Sequence, residues 1–152
     1  MITMKTRYAL KALTQLALAG QGTVVLIAEL AEREGIPQKF LEAILRELKQ
    51  DGLLMSRKGR GGGYALNQDP TAISLAKVMR ALEGPLAPVP CLSQTAYRRC
   101  DECKDEHSCG VRLVLRDLHQ ATMRVLEGTT LQDLVQRTRE AAQEHGTLRY
   151  AI

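Results

Sequence analysis

Apolar residues along this chain fall first in helical steps, then in two short runs around a glycine cluster, and then in steps of seven. From Lys5 to Ala19 the positions Tyr8, Ala9, Ala12, Leu13, Leu16 and Ala17 keep the i, i+3/i+4 spacing of an amphipathic helix, closed by Gly20 or Gly22. "LIAELAEREG" predicts a short second helix that ends at Gly35. In "IPQKFLEAILRELKQDG" Pro37 suits the first helical position and Gly52 the stop. Phe40, Leu41, Ile44, Leu45 and Leu48 form one apolar stripe there, leaving Gln38, Lys39, Glu42, Ala43 and Arg46 on the other sides. Two short helices joined by a tight glycine-containing turn, the second amphipathic, predict a helix-turn-helix.

Next, "LLMSRKGRGGGYALN" predicts strands at Leu53–Ser56 and Tyr64–Leu66, with Gly59 and Gly61–Gly63 at the tip between them, which makes a wing. Ser74–Gly84 reads as a packing helix with a capping serine and a terminal glycine, and "PLAPVP" then breaks regular structure. After Cys109 the apolar positions change period. Val111, Leu118 and Val125 recur at intervals of seven, with Val114 and Ala121 at an offset of three, as in the seam of a coiled coil. Leu113, Leu115, Thr122 and Leu126 add a second apolar side. Such a helix packs on its own domain, on a twin, or on both; periodicity alone leaves this open. Thr129–Gln132 resembles a capping box that opens a last helix running to about Glu144.

Composition narrows the class. The chain has 152 residues, no Trp, one Phe and four Tyr, so its core is aliphatic and favours helix on helix. No apolar stretch approaches the roughly 20 residues of a membrane span. Lys5 and Arg7 precede an apolar run in the manner of a secretory leader, but Lys11 and Gln15 interrupt it at helical spacing, so a cytoplasmic protein is expected. The net charge is +4, and no acid lies between Gly52 and Gln68, where Arg57, Lys58 and Arg60 cluster beside glycines. That local pattern fits phosphate contact. GRGGGY lacks the G-K-[ST] ending and the following helix of a nucleotide-binding loop. No Ser/His/Asp set or carboxylate pair points to catalysis, and the chain is expected not to be an enzyme.

"MKTRYALKALTQLA", "IPQKFLEAILRELKQDGLLMSRKGRGGGYAL" and the cysteine segment together resemble the IscR, NsrR and RirA family of winged-helix transcription regulators. The resemblance implies a mainly α fold with a small β-wing, dimerised through the long helix, on double-stranded DNA with a roughly palindromic operator. It implies base or phosphate contact from Gln38, Lys39 and Glu42, and phosphate or minor-groove contact from Lys58 and Arg60. The expected organisation is a winged helix-turn-helix unit at 1–84, a cysteine-rich sensor loop at 85–109, and a dimerisation helix with a last helix at 110–152.

All four cysteines lie in the order Cys91-x8-Cys100-x2-Cys103-x5-Cys109. Disulfides rarely persist in the reducing compartment where DNA is read. Four thiolates suit zinc or an iron–sulfur cluster equally well in number, and only Cys100 and Cys103 form a CxxC knuckle. The resemblance implies a cluster, of two or four irons, in which Cys103 and Cys109 match a pair five residues apart. The histidine ligand of IscR falls on Arg112, so Cys91 and Cys100 are left for the other two places, with His107 as a spare. The expected function is redox, iron or nitric oxide sensing through that cluster; structural zinc or a cluster-free thiol switch is the alternative. A thiol-disulfide oxidoreductase built on "CDEC" would need a strand before the motif and a helix after it.

Overall fold

The computed structural model describes residues 2–150, with side chains to residue 146; Met1, Ala151 and Ile152, the ends of the expected first and last segments, lie outside the described residues. The order is α1 (Met4–Ala19), α2 (Ile27–Glu34), α3 (Gln38–Gln50), β1 (Leu54–Arg57), β2 (Gly63–Leu66), α4 (Leu75–Glu83), α5 (Gly110–Gly128) and α6 (Leu131–Tyr150), with 3-10 turns at Pro70–Ala72 and Pro90–Leu92. The fold is mainly helical with a small antiparallel sheet, as expected.

Each early boundary has a local cause. Thr3 accepts a hydrogen bond from the Thr6 amide at 3.3 Å and so caps α1. Gly35 adopts the left-handed conformation at the end of α2 and turns the chain into α3. Pro37 stands at the cap of α3 rather than at its first position, and Gly52 follows the last turn. β1 and β2 pair from Leu54 with Leu66 to Arg57 with Gly63. Leu53 therefore precedes the ladder, and its side chain is fully buried. Val25 adds a bridge to Tyr64, exchanging hydrogen bonds of 2.9 and 3.0 Å.

One aliphatic core joins Ala9, Leu13 and Leu16 of α1 to Leu41, Ile44, Leu45 and Leu48 of α3, closed by Leu54 and Leu66 of the wing. The stripe predicted for α3 is buried except Phe40, which is 43% exposed and meets Tyr8 edge to face with ring centroids 5.7 Å apart. It rims the core instead of filling it. A smaller cluster of Ala76, Met79 and Leu126, with Met123 against it, fixes α5 to α4.

The chain then comes back to α1. The Leu75 amide donates to Thr129 and the Leu131 amide to Ile73, both at 2.9 Å, so the α5–α6 corner is tied to the start of α4. Leu131 and Val135 are buried. The capping box is one residue later than expected: Thr130 and Asp133 exchange hydrogen bonds of 2.7 to 3.2 Å. Thr129 is buried with its carbonyl already engaged, so it is not the capping residue. α6 continues past Glu144 to Tyr150.

Candidate nucleic-acid interface and cysteine loop

α3 turns its buried stripe inward and leaves Gln38, Lys39, Ala43, Arg46 and Lys49 exposed, with Glu42 half-buried. Gln38 Nε2 donates to Glu42 Oε1 at 3.3 Å, so these two present a paired donor–acceptor surface one turn into the helix. Lys49 Nζ donates to Ser56 Oγ at 2.6 Å and ties the end of α3 to β1. Between helix and wing lies an open groove of about 670 Å³, lined by Gln38, Arg46, Lys49, Arg57 and Lys58 among others, and by no acidic residue. Arg60 stands exposed at the wing tip, outside the groove lining, as does Lys39 on the helix; the half-buried Glu42 also lies outside it.

Arg46 and Lys49 are the residues that reading along the chain underweighted. They continue the face of Gln38 and Glu42 at steps of four, four and three, and that spacing is the signal that locates them. The wing sequence has a backbone cause. A Cβ on Gly63 would stand 2.0 Å from the Val25 carbonyl oxygen, and one on Gly62 would stand 2.3 Å from that of Arg57. The Val25 bridge and the close turn after Arg57 thus exclude any side chain at both positions.

The cysteine loop runs from the end of α4 to the start of α5, and short-range hydrogen bonds shape it. Cys91 is buried in a 3-10 turn. The Arg98 amide returns to Pro90 at 3.2 Å, and the Cys103 amide donates to Cys100 at 3.1 Å. Arg99 Nη2 clamps the carbonyls of Cys103 and Lys104, each at 2.9 Å. Asp105 accepts from the amides of His107 and Ser108 at 3.1 Å and leads into α5. The Ser108 and His107 hydrogen bonds hold its carboxyl below the ordinary value. Cys109 caps α5.

Desolvation first, then the Cys91 thiol and the nearby Cys103, push the Cys100 thiol up. Cys103 and Cys109 are half-buried, and Cys100 is exposed. Among the described residues no three His, Cys, Asp or Glu side chains are grouped as they would be around a metal ion. Arg112, in the first turn of α5, donates from Nη2 to the Cys91 carbonyl at 3.4 Å, and its Nε is buried with no partner among the described residues. His107 is exposed. Residues Ser93 to Cys109 form neither strand nor helix, so "CDEC" lacks the setting of a thioredoxin-type motif.

The family model described as "Rrf2: Iron-dependent Transcriptional regulator" matches residues 2–137. The chain belongs to the Rrf2 family. An rrf2-like chain of Rhodobacter capsulatus, named among HTH-type transcriptional regulators, is 41% identical over 138 residues, covering 89% of this chain and 92% of its own. IscR of Yersinia pestis is 32% identical over 134 residues, covering 88% of this chain and 78% of its own. Among solved structures, CymR, the global cysteine regulator of B. subtilis, matches with a TM-score of 0.75 at 28% identity, over 90% of this chain and 97% of its own. IscR of T. potens matches with a TM-score of 0.72 at 25% identity, over 93% and 90%. This Rrf2 protein is therefore a transcriptional regulator with the winged-helix fold of its relatives. Those relatives are named as regulators, not as enzymes, and among the described residues no helix is long and apolar enough to cross a membrane.

Proposed function

We propose that this Rrf2 protein is a cytoplasmic homodimer that reads a roughly palindromic operator with α3 and its wing, and that the state of its cysteine loop sets the affinity. The acid-free groove lined by Arg46, Lys49, Arg57 and Lys58 carries this reading. It puts four cations where a duplex backbone would run between helix and wing, and phosphate neutralisation supplies most of such affinity. Gln38, Lys39 and Glu42 supply base or phosphate contacts from α3, and Arg60 extends the basic surface from the wing tip. Residues 1–84 read DNA, 85–109 sense, and the helices from 110 onward pair the protomers.

α5 supports the pairing. Val111, Val114, Leu118 and Val125 are 57 to 69% exposed along one stripe. An apolar row of this kind is stable in water when a second copy covers it. The two wings then face half-sites about one helical turn, roughly 34 Å, apart.

The loop's donors suit an iron–sulfur cluster. Four thiols are the ligand set such clusters take, and Arg112 Nε is a donor with no acceptor among the described residues. Cys91, Cys100, Cys103 and Cys109 would hold the cluster, which supplies a centre responsive to oxidant, iron supply or nitric oxide. Loading requires the four thiols to close on one centre, since among the described residues no three such ligands are grouped as around a metal ion. That the Cys91 thiol lies close enough to help raise the Cys100 pKa also favours a second reading, a cluster-free switch in which an oxidant takes two electrons, the thiols lose two protons and a disulfide forms. Zinc on the same thiolates would give a structural site.

The test is metal and sulfide analysis of protein purified without oxygen, followed by DNA binding at fixed salt. Iron with acid-labile sulfide supports the cluster, whereas zinc or metal-free thiols support the other two readings. Lys58→Ala should weaken binding to all duplexes alike and lower the slope of log K against log salt by ~0.9. An unchanged slope removes Lys58 from the interface.

A further inference from the structure

Arg112 is a cation placed under the cysteine loop with a donor left over. Nη2 binds the Cys91 carbonyl and so holds the guanidinium against the turn that carries the buried cysteine. Nε is shut off from solvent and has no acceptor. Buried donors are nearly always satisfied, and an exception marks a missing water, ion or ligand. Two acids of the loop are engaged elsewhere: Glu106 accepts from the Tyr97 hydroxyl, and Asp105 accepts from His107 and Ser108. Among the described residues Arg112 is in none of the five ion pairs.

What the site lacks among the described residues is an acceptor for Nε, on a guanidinium held to the Cys91 carbonyl. We infer that Arg112 is the counter-ion of the thiolate-bound centre, its Nε donating to a metal-bound sulfur. This rests on the cluster reading above and deepens it. Four thiolates outweigh the positive charge of either core, so the loaded loop is anionic, and hydrogen bonds to sulfur and net charge both set its potential. One-electron reduction adds a further negative charge beside the guanidinium. Arg112 therefore favours the reduced form. It is a positioning and tuning residue, not a ligand.

The experiment is a dye-mediated anaerobic redox titration of the full-length protein, reconstituted with iron and sulfide, as wild type, Arg112→Gln and Arg112→Lys. Arg112→Gln should keep its iron and sulfide and shift the one-electron equilibrium at least tenfold toward the oxidised form, a fall of about 59 mV. Arg112→Lys retains the charge but not the fixed donor, so it should recover part of that shift. A glutamine variant with wild-type iron content and wild-type potential overturns the inference while the cluster reading stands. Should that variant take up no iron, the lysine variant decides: a lowered potential upholds the role and an unchanged one overturns it. Wild-type protein that takes up no iron and sulfide overturns both together.

Discussion

Gly63 carries one of the sharpest demands of any single residue in this chain. Its missing side chain lets the wing lie against Val25, and Gly63→Ala would put a methyl 2.0 Å from a backbone oxygen. Overpacking of that kind costs about 1–3 kcal/mol. The expected outcome is a lower urea midpoint and weaker DNA binding with dimer mass unchanged; a wild-type midpoint would show that the wing shifts freely. Glu83 makes a different demand. The hydroxyl of Thr3 first, then that of Thr6, donate to its carboxylate, and with Lys5 nearby they hold its pKa below the ordinary 4.5. A depressed folded-state pKa gives stability that is fully present above 4.5 and lost as pH falls through the folded value. Glu83→Gln should thus lower the urea midpoint at neutral pH and leave it less sensitive to acid below 4.5 than wild type. Parallel pH profiles would contradict this.

At the scale of elements, α5 has one packed side and one open side. Leu126 and Met123 face α4, while the row through Leu118 is open. Leu118→Asp should leave protomer stability within about 0.5 kcal/mol, as for an exposed site, yet convert dimer to monomer in sedimentation and weaken operator binding. A variant that sediments as a dimer would show that another surface pairs the protomers. The row was legible in the sequence because its period of seven differs from that of the packed side. The helix-turn-helix was legible too, since Gly35 and Gly52 bracket a strong stripe. What was not legible depends on contacts distant in the chain. Phe40 belongs to the stripe by spacing, but it lies at the edge where Tyr8 ends the core. Thr129 and Thr130 both suit a cap; the backbone bond from Leu75 to Thr129 decides between them. The four cysteines and the wing cations announced themselves by clustering. The groove joining Arg46 and Lys49 to the wing, and Arg112 beneath Cys91, follow only once helix, wing and loop are placed.

Across the whole molecule, the loop and α3 share one anchor. Lys5 Nζ binds Glu47 of α3 at 2.6 Å and the Leu82 carbonyl at the end of α4 at 3.2 Å, next to the point where the loop departs. A change of loop conformation thus has a short packed route to α3. Any coupling is reciprocal, so operator DNA must alter the stability of whatever the loop holds by the same factor that the loop alters affinity. The most direct measurement is fluorescence anisotropy over a series of salt concentrations, the two forms compared at each, on a duplex the protein selects from a random pool. Anaerobically reconstituted and metal-free protein are compared on that duplex. The expected result is two protomers per duplex, binding that weakens steeply with added salt, and an affinity that differs at least fivefold between the two forms. Equal affinities would contradict sensing through the loop, and salt-insensitive binding would contradict the basic groove.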